Sequence, residues 1–256
     1  MDPMDAHYPS LKGRVVFVTG GGSGIGAAIV AHFAAQGARV TFVDIQREAS
    51  EALVAEIAGR GHPAPRFLAC DLKDIEALRA AIARTGAEDG PIKVLVNNAA
   101  NDDRHRTEDV TVAYWDERMA VNLRHQFFAA QAVRPQMRDS GGGSIVNLGS
   151  VSWMIGEGDC IAYVTAKSAI GGLTRGLARE LGPERIRVNC VVPGWVMTER
   201  QLALWVTPEG EAQIDASQCL PGRLAPADIA RMVLFLAADD SRMCSSQNYI
   251  VDAGWV

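Results

Sequence analysis

From end to end the chain alternates short apolar, β-branched runs with longer segments whose apolar residues recur at helical spacing. Arg14 to Thr19, Arg39 to Asp44, Arg66 to Asp71, Lys93 to Asn97, Ser144 to Leu148, Arg187 to Val192 and Asn248 to Val251 read as seven strands. These runs are apolar throughout instead of alternating with polar positions, as strands covered on both faces should be. Helical segments lie between them, including Ile25 to Gln36, Glu48 to Ala58, Val112 to Arg138, Ala162 to Leu181 and Ala227 to Ala238. The alternation predicts an α/β fold: a seven-stranded parallel sheet with right-handed crossovers and helices on both faces. No linker, repeat or low-complexity stretch divides residues 1–256, so one doubly wound domain is expected, with 1–10 as a short N-terminal extension. One segment breaks the alternation, Thr198 to Pro221, after the sixth strand. Insertions beyond strand ends are where open α/β sheets build their sites.

Composition narrows the classes of function. Hydrophobic residues make up 48% and charged residues 21%, enough apolar surface to offset the entropy of ordering the chain. The uninterrupted apolar stretches are far shorter than the roughly 20 residues of a spanning helix, and residues 1–10 lack a basic-then-apolar leader pattern. The formal charge is −5 and no basic stripe is visible, which speaks against nucleic acid as a partner. The five cysteines are scattered, without CxxC or Cys/His spacing. They are expected to be reduced, in a cytoplasmic protein with no metal site.

The first strand runs directly into Thr19-Gly20-Gly-Gly-Ser23-Gly24-Ile25-Gly26 and then a helix. Glycines there permit a tight turn and let a pyrophosphate approach backbone N–H groups at the positive end of the helix. Between a buried strand and a helix, the cluster reads as a dinucleotide-binding turn. Asp44 ends the second strand, where a carboxylate accepts hydrogen bonds from ribose hydroxyls and repels a 2′-phosphate. The turn contains no Lys or Arg and Ile45 follows Asp44, so NAD is favoured over NADP.

Tyr163 and Lys167 are four positions apart on a helical segment, which puts both on one face. Tyrosine ordinarily titrates near 10, and a neighbouring ammonium favours its phenolate, making proton exchange with a substrate hydroxyl feasible. Ser150, just beyond the fifth strand, offers a hydroxyl to a substrate oxygen whose charge changes. Asn122 falls within the long helix before that strand. Asn97-Asn98-Ala99-Ala100 ends the fourth strand and Pro193-Gly-Trp195-Val196-Met-Thr198 follows the sixth. These clusters gather at strand C-terminal ends or just beyond, where doubly wound sheets bind ligands.

In this order and spacing the chain resembles the short-chain dehydrogenase/reductase family over its full length. The resemblance implies a Rossmann-type domain in which Tyr163 is the general acid/base, hydrogen-bonded to Ser150. Lys167 would bind the nicotinamide ribose and lower the tyrosine pKa, and Asn122 would support a water relay to it. Asp71 would touch the adenine, Asn98 and Ala99 would line the cofactor, and Val196 and Thr198 would hold its carboxamide and phosphate end. The cofactor set expected is Gly20, Ser23, Gly24, Ile25, Gly26, Asp44, Ile45, Asp71, Leu72, Asn98, Ala99, Tyr163, Lys167, Pro193, Val196 and Thr198. The family's usual Asn-Asn-Ala-Gly reads Asn-Asn-Ala-Ala100 here, and its usual Asp-Gly-Gly reads Asp252-Ala-Gly254. A homotetramer is also implied, with the segments 112–138 and 162–181 as a helix-pair interface.

The substrate must be read from the pocket, since fold and mechanism do not name it. Asn101-Asp102-Asp-Arg-His105 is densely polar, which suits a polyol or sugar better than a lipid; a solvated loop with internal ion pairs is the plainer alternative. Trp153 and Trp195 offer flat faces to a sugar ring, or simply pack. Asn101, Asp102, Ser150, Trp153, Tyr163 and Trp195 form the expected substrate set. Together with Tyr114-Trp-Asp-Glu-Arg118, Asn122-Leu-Arg-His125, Thr207 to Gln213 and the terminal Asp252-Ala-Gly-Trp255, the polar run resembles the bacterial aldose 1-dehydrogenases of that family. That implies NAD-dependent oxidation, at C1, of a pentose of the D-xylose or L-arabinose type. The competing expectation is a short-chain reductase of ketone or ketoacyl substrates, against which Asp44 weighs. A non-catalytic dinucleotide sensor would need none of the Asn122, Ser150, Tyr163 and Lys167 chemistry.

Overall fold

A computed structural model describes residues 6–256. The seven strands are β1 (Val15–Thr19), β2 (Arg39–Asp44), β3 (Arg66–Ala69), β4 (Val94–Asn97), β5 (Gly143–Leu148), β6 (Ile186–Pro193) and β7 (Asn248–Val251). They form one sheet in the order β3-β2-β1-β4-β5-β6-β7, parallel at every pairing. The order reverses between β1 and β4, and the crevice that opens there at the strands' C-terminal ends is where such sheets hold ligands.

Successive residues of a strand point to opposite faces, and here both faces are covered. Val16 and Val18 of β1 enter one core with Val94 and Val96, while Val15 and Phe17 enter the other with Leu95 and Ile145. The first core is closed by α1 (Gly24–Ala35) and α9 (Pro226–Ala237), through Ile29, Phe33, Val233 and Leu236. The second is closed by α3 (Ile75–Asp89), α5 (His125–Asp139) and α6 (Ile161–Leu181), through Leu78, Val133, Met137 and Leu177. Arg47–Gly59 forms α2, Val112–Met119 forms α4, Glu199–Leu204 forms α7 and Pro208–Ser217 forms α8.

Three expectations are adjusted. The helix expected over 112–138 is two helices joined by a π-helical turn, Ala120–Arg124, which carries Asn122. Such turns widen the helix locally and recur at functional sites. The segment 198–221, expected as an insertion, contains α7 and α8. Of the expected extension, residues 1–5 lie outside the described residues. The remainder is docked: the Tyr8 backbone N–H donates to Gln36 Oε1 (2.8 Å), Gln36 Nε2 donates to the Ala6 carbonyl (2.9 Å), and Leu11 is fully buried.

Candidate active site

The turn after β1 is held open by its own neighbours. Thr19 Oγ1 accepts the backbone N–H groups of Asn98 (3.1 Å) and Ala99 (3.2 Å), tying the end of β1 to the end of β4. Asn98 Nδ2 donates to the carbonyls of Thr19 (3.1 Å) and Gly20 (2.7 Å). Its amide therefore shapes the turn from below. A side chain on Gly26 would collide with the Gly20 carbonyl and the Asn98 amide, so close packing of helix against turn requires glycine there. Gly24 opens α1 at φ +54°, in the left-handed region.

Asp44 is buried, not the exposed strand-end residue that its position alone would suggest. Its Oδ2 accepts the Gly22 N–H at 2.8 Å and its Oδ1 accepts the Gln46 N–H at 2.9 Å, so one carboxylate fixes the glycine turn and the start of the next loop. Bare backbone at the helix N-terminus and a carboxylate at the edge of β2 together fit a nicotinamide dinucleotide.

The cleft above the sheet encloses about 790 Å³. Every residue expected to hold the cofactor lines it, and so do Ser150, Asn101, Asp102 and Trp195. Two expected site residues do not. Asn122 is fully buried beneath the wall, its Oδ1 accepting the Asn101 N–H (2.8 Å) and its Nδ2 donating to the Asn101 carbonyl (3.0 Å). Its side chain thus clamps the start of the polar loop. Trp153 sits in a one-turn 3-10 helix after Ser150, 37% exposed, and is not among the residues lining the cleft.

Tyr163 and Lys167 project from one face of α6 toward the end of β5. Lys167 is buried, with Nζ donating to the Leu148 carbonyl at 2.7 Å and lying 5.5 Å from the centroid of the Tyr163 ring. Burial pushes its pKa down to about 8, partly countered by the Cys190 thiol and the Asp102 carboxylate. Burial pushes the Tyr163 hydroxyl well above its ordinary value, and the Ser150 hydroxyl pulls in the opposite direction. Beneath the site a buried amide chain links the strands: Asn97 Nδ2 donates to Asn147 Oδ1 (2.9 Å), and Asn147 Nδ2 donates to Thr174 Oγ1 (3.0 Å).

The loop 101–105 is ion-paired to neighbouring elements and also lines the cleft. Asp103 is ion-paired with Arg118 and Arg200, and Arg104 with Glu157 at 3.0 Å, so the loop's charges are tied to other elements. Yet Asn101, Asp102, Arg104 and Glu157 all line the cleft. Asn101 spends its side-chain oxygen on the Asp103 N–H (2.8 Å), and Asp102 is the acidic residue of the loop that lines the cleft. Gln201, Gln213 and Trp255 also line the cleft and were not expected. Gln201 lies in the segment that broke the alternation, but no motif surrounds it.

His125 is a further residue that sequence reasoning left without a role. Fully buried at the start of α5, it places Nε2 3.2 Å from the Ala99 carbonyl. Burial, then the Lys167 charge, pushes its pKa down to about 4. The folded protein therefore resists a proton that the unfolded chain accepts near 6.5. Stability from this group is complete above pH 6.5 and is lost as pH falls toward 4, by on the order of 2 to 3 kcal/mol. Chemical denaturation at pH 7 and pH 4.5 is expected to show that loss. A His125→Gln variant should lose less, and an equal loss would remove His125 as the cause.

Comparison with known proteins adds independent findings. A family model described as Enoyl-(Acyl carrier protein) reductase matches residues 20–256. The chain is 58% identical to the D-xylose 1-dehydrogenase of Caulobacter vibrioides over 98% of both chains. It is 50% identical to the probable galactose dehydrogenase GalD of Rhizobium meliloti over 97% of both. Among solved structures it superposes on a short-chain type dehydrogenase/reductase from Mycobacterium ulcerans with a TM-score of 0.91, at 27% identity, covering 96% of this chain and 90% of that one.

Proposed function

Because the chain belongs to the short-chain dehydrogenase/reductase family, we propose that it oxidises C1 of an aldopentose of the D-xylose or L-arabinose type with NAD, giving the sugar lactone. The observation that carries this reading is one cleft containing Tyr163, Ser150 and Lys167 beside the acid and base groups of the 101–105 loop. Such a wall suits a ligand with several hydroxyls and leaves an apolar ligand facing unmatched polar groups.

The glycine turn and Asp44 would hold the adenosine end of the cofactor, Asp71 and Leu72 would border it, and Pro193, Val196 and Thr198 would face its other end. The nicotinamide, when bound, supplies the acceptor for the hydrogen that leaves C1 with its electron pair. Tyr163 takes the proton of the C1 hydroxyl as the carbonyl forms. Ser150 hydrogen-bonds the same oxygen while its charge changes. Lys167, with one donor spent on Leu148, has two more for ribose hydroxyls, and its charge opposes protonation of the site. Asp44 offers a negative group where NADP would bring a phosphate, which supports NAD.

The reading extends to a homotetramer in the cytoplasm. Exposed Val112 and Phe127 on α4 and α5, and Ile161 on α6, supply apolar surface for a helix-pair interface, and all five cysteines are unpaired. No helix among the described residues is long and apolar enough to cross a membrane.

Reduction of NAD or NADP, followed by absorbance with D-xylose, L-arabinose, D-galactose, L-fucose and simple secondary alcohols, tests the proposal. Turnover is expected to be strongest on one pentose with NAD. Silence on every aldose, with turnover of a secondary alcohol, would overturn the sugar assignment and leave the fold and the tyrosine chemistry standing.

A further inference from the structure

Gln201, from α7, sits between two groups whose chemistry leaves its amide one orientation. The Trp195 indole N–H can only donate, and it meets Gln201 Oε1 at 3.0 Å. The amide nitrogen is thereby turned to the other side, where it donates to Asp102 Oδ2 at 2.6 Å. The second carboxylate oxygen, Oδ1, has the Arg200 guanidinium Nε at a longer 3.3 Å. A carboxylate has about four acceptor sites, so two remain for groups within the cleft. Asp102 lines that cleft, and its charge acts to raise the pKa of Tyr163, Lys167 and Cys160, which places it within electrostatic reach of the reacting position. Asp103 is ion-paired with Arg118 and shares Arg200 with Asp102, while Glu157 is paired with Arg104.

We propose that Gln201 is a positioning residue that, locked by Trp195, aims the Asp102 carboxylate at a substrate hydroxyl other than the one being oxidised. This deepens the aldopentose reading and rests on it. A hydrogen bond to an ionised acceptor is among the stronger polar contacts, and a site built around one discriminates sharply against the analogue lacking the donor. Selectivity for a pentose over its deoxy analogue at one ring position is thus set by residues that come together only in the fold.

The test measures kcat/KM of the wild type, Gln201→Leu and Trp195→Phe on the preferred pentose and on its 2-, 3- and 4-deoxy analogues, with melting temperature and cofactor affinity measured alongside. In the wild type, one deoxy analogue is expected to be strongly disfavoured. In Gln201→Leu that preference should fall by about tenfold or more, through KM, with cofactor affinity unchanged. Trp195→Phe keeps the ring and removes the N–H, so it should shift the same ratio in the same direction and serves if Gln201→Leu does not fold. Gln201→Glu would set a second carboxylate against Asp102. Its loss of selectivity should be large near pH 8 and partly recovered near pH 6, where the pair can share a proton. Ratios that stay at the wild-type value in both neutral variants, or that fall equally for every analogue together with cofactor affinity, would overturn the proposal. Absence of aldose turnover in the wild type would overturn the pentose reading, and this inference with it.

Discussion

Tyr163→Phe is expected to lower kcat by about two to four orders of magnitude, the range over which a positioned proton acceptor acts, with cofactor affinity within about twofold of the wild type. The substitution removes one oxygen from a ring anchored on α6 and leaves Lys167 on the Leu148 carbonyl at 2.7 Å, so the rest of the cleft has no reason to rearrange. Burial holds the Tyr163 hydroxyl above its ordinary pKa, so its proton-accepting form grows as pH rises. The wild-type oxidation rate should therefore climb toward alkaline pH, and the residual activity of the Phe variant should lose that slope. Initial rates between pH 7 and pH 10 check both. A Phe variant that retains a tenth of the activity with the same slope would show that another group takes the proton.

The second large effect is expected at Asp44, and the structure divides it into two parts. Asp44 carries the charge that should exclude a 2′-phosphate, and it also accepts the Gly22 and Gln46 N–H groups. Asp44→Asn removes the charge and keeps an oxygen acceptor; Asp44→Ala removes both. Preference for NAD over NADP should fall by about a hundredfold in each, since a like-charge contact of this kind costs several kcal/mol. NAD affinity itself should fall further in Ala than in Asn, because only Ala frees both N–H groups of a buried turn. Titration of each variant with both cofactors reads the two parts separately. An unmoved coenzyme ratio would remove Asp44 from the specificity of the site, whatever happened to NAD binding.

The strands and their shared sheet were legible because burial on both faces demands apolar residues at every position, a local signature that Val15 to Val18 display without interruption. The glycine turn was legible because its geometry is set within eight consecutive residues. Tyr163 and Lys167 were legible as a pair because four positions on a helix make neighbours whatever surrounds them. The edges were less so. The π-helical turn at 120–124 carries no residue that demands it, and the docking of residues 6–11 depends on Gln36, far along the chain. Trp153 illustrates the limit for the site itself. Three residues beyond Ser150, Trp153 is absent from the cleft lining, while Trp255 reaches the cleft from far along the chain.

What the sequence determined by itself was therefore the order of elements, the shared face of α6 that carries Tyr163 and Lys167, and the position of the glycine turn, since each follows from backbone periodicity or from adjacent residues. What the tertiary structure alone decided was the environment those groups meet. Asn122 is spent on Asn101, 21 positions away, and Gln201 is joined to Asp102 across 99 positions. Whether a carboxylate faces substrate or another side chain depends on where separate loops come to rest above the sheet. That is set by packing between elements distant in the chain, for which local spacing holds no signal.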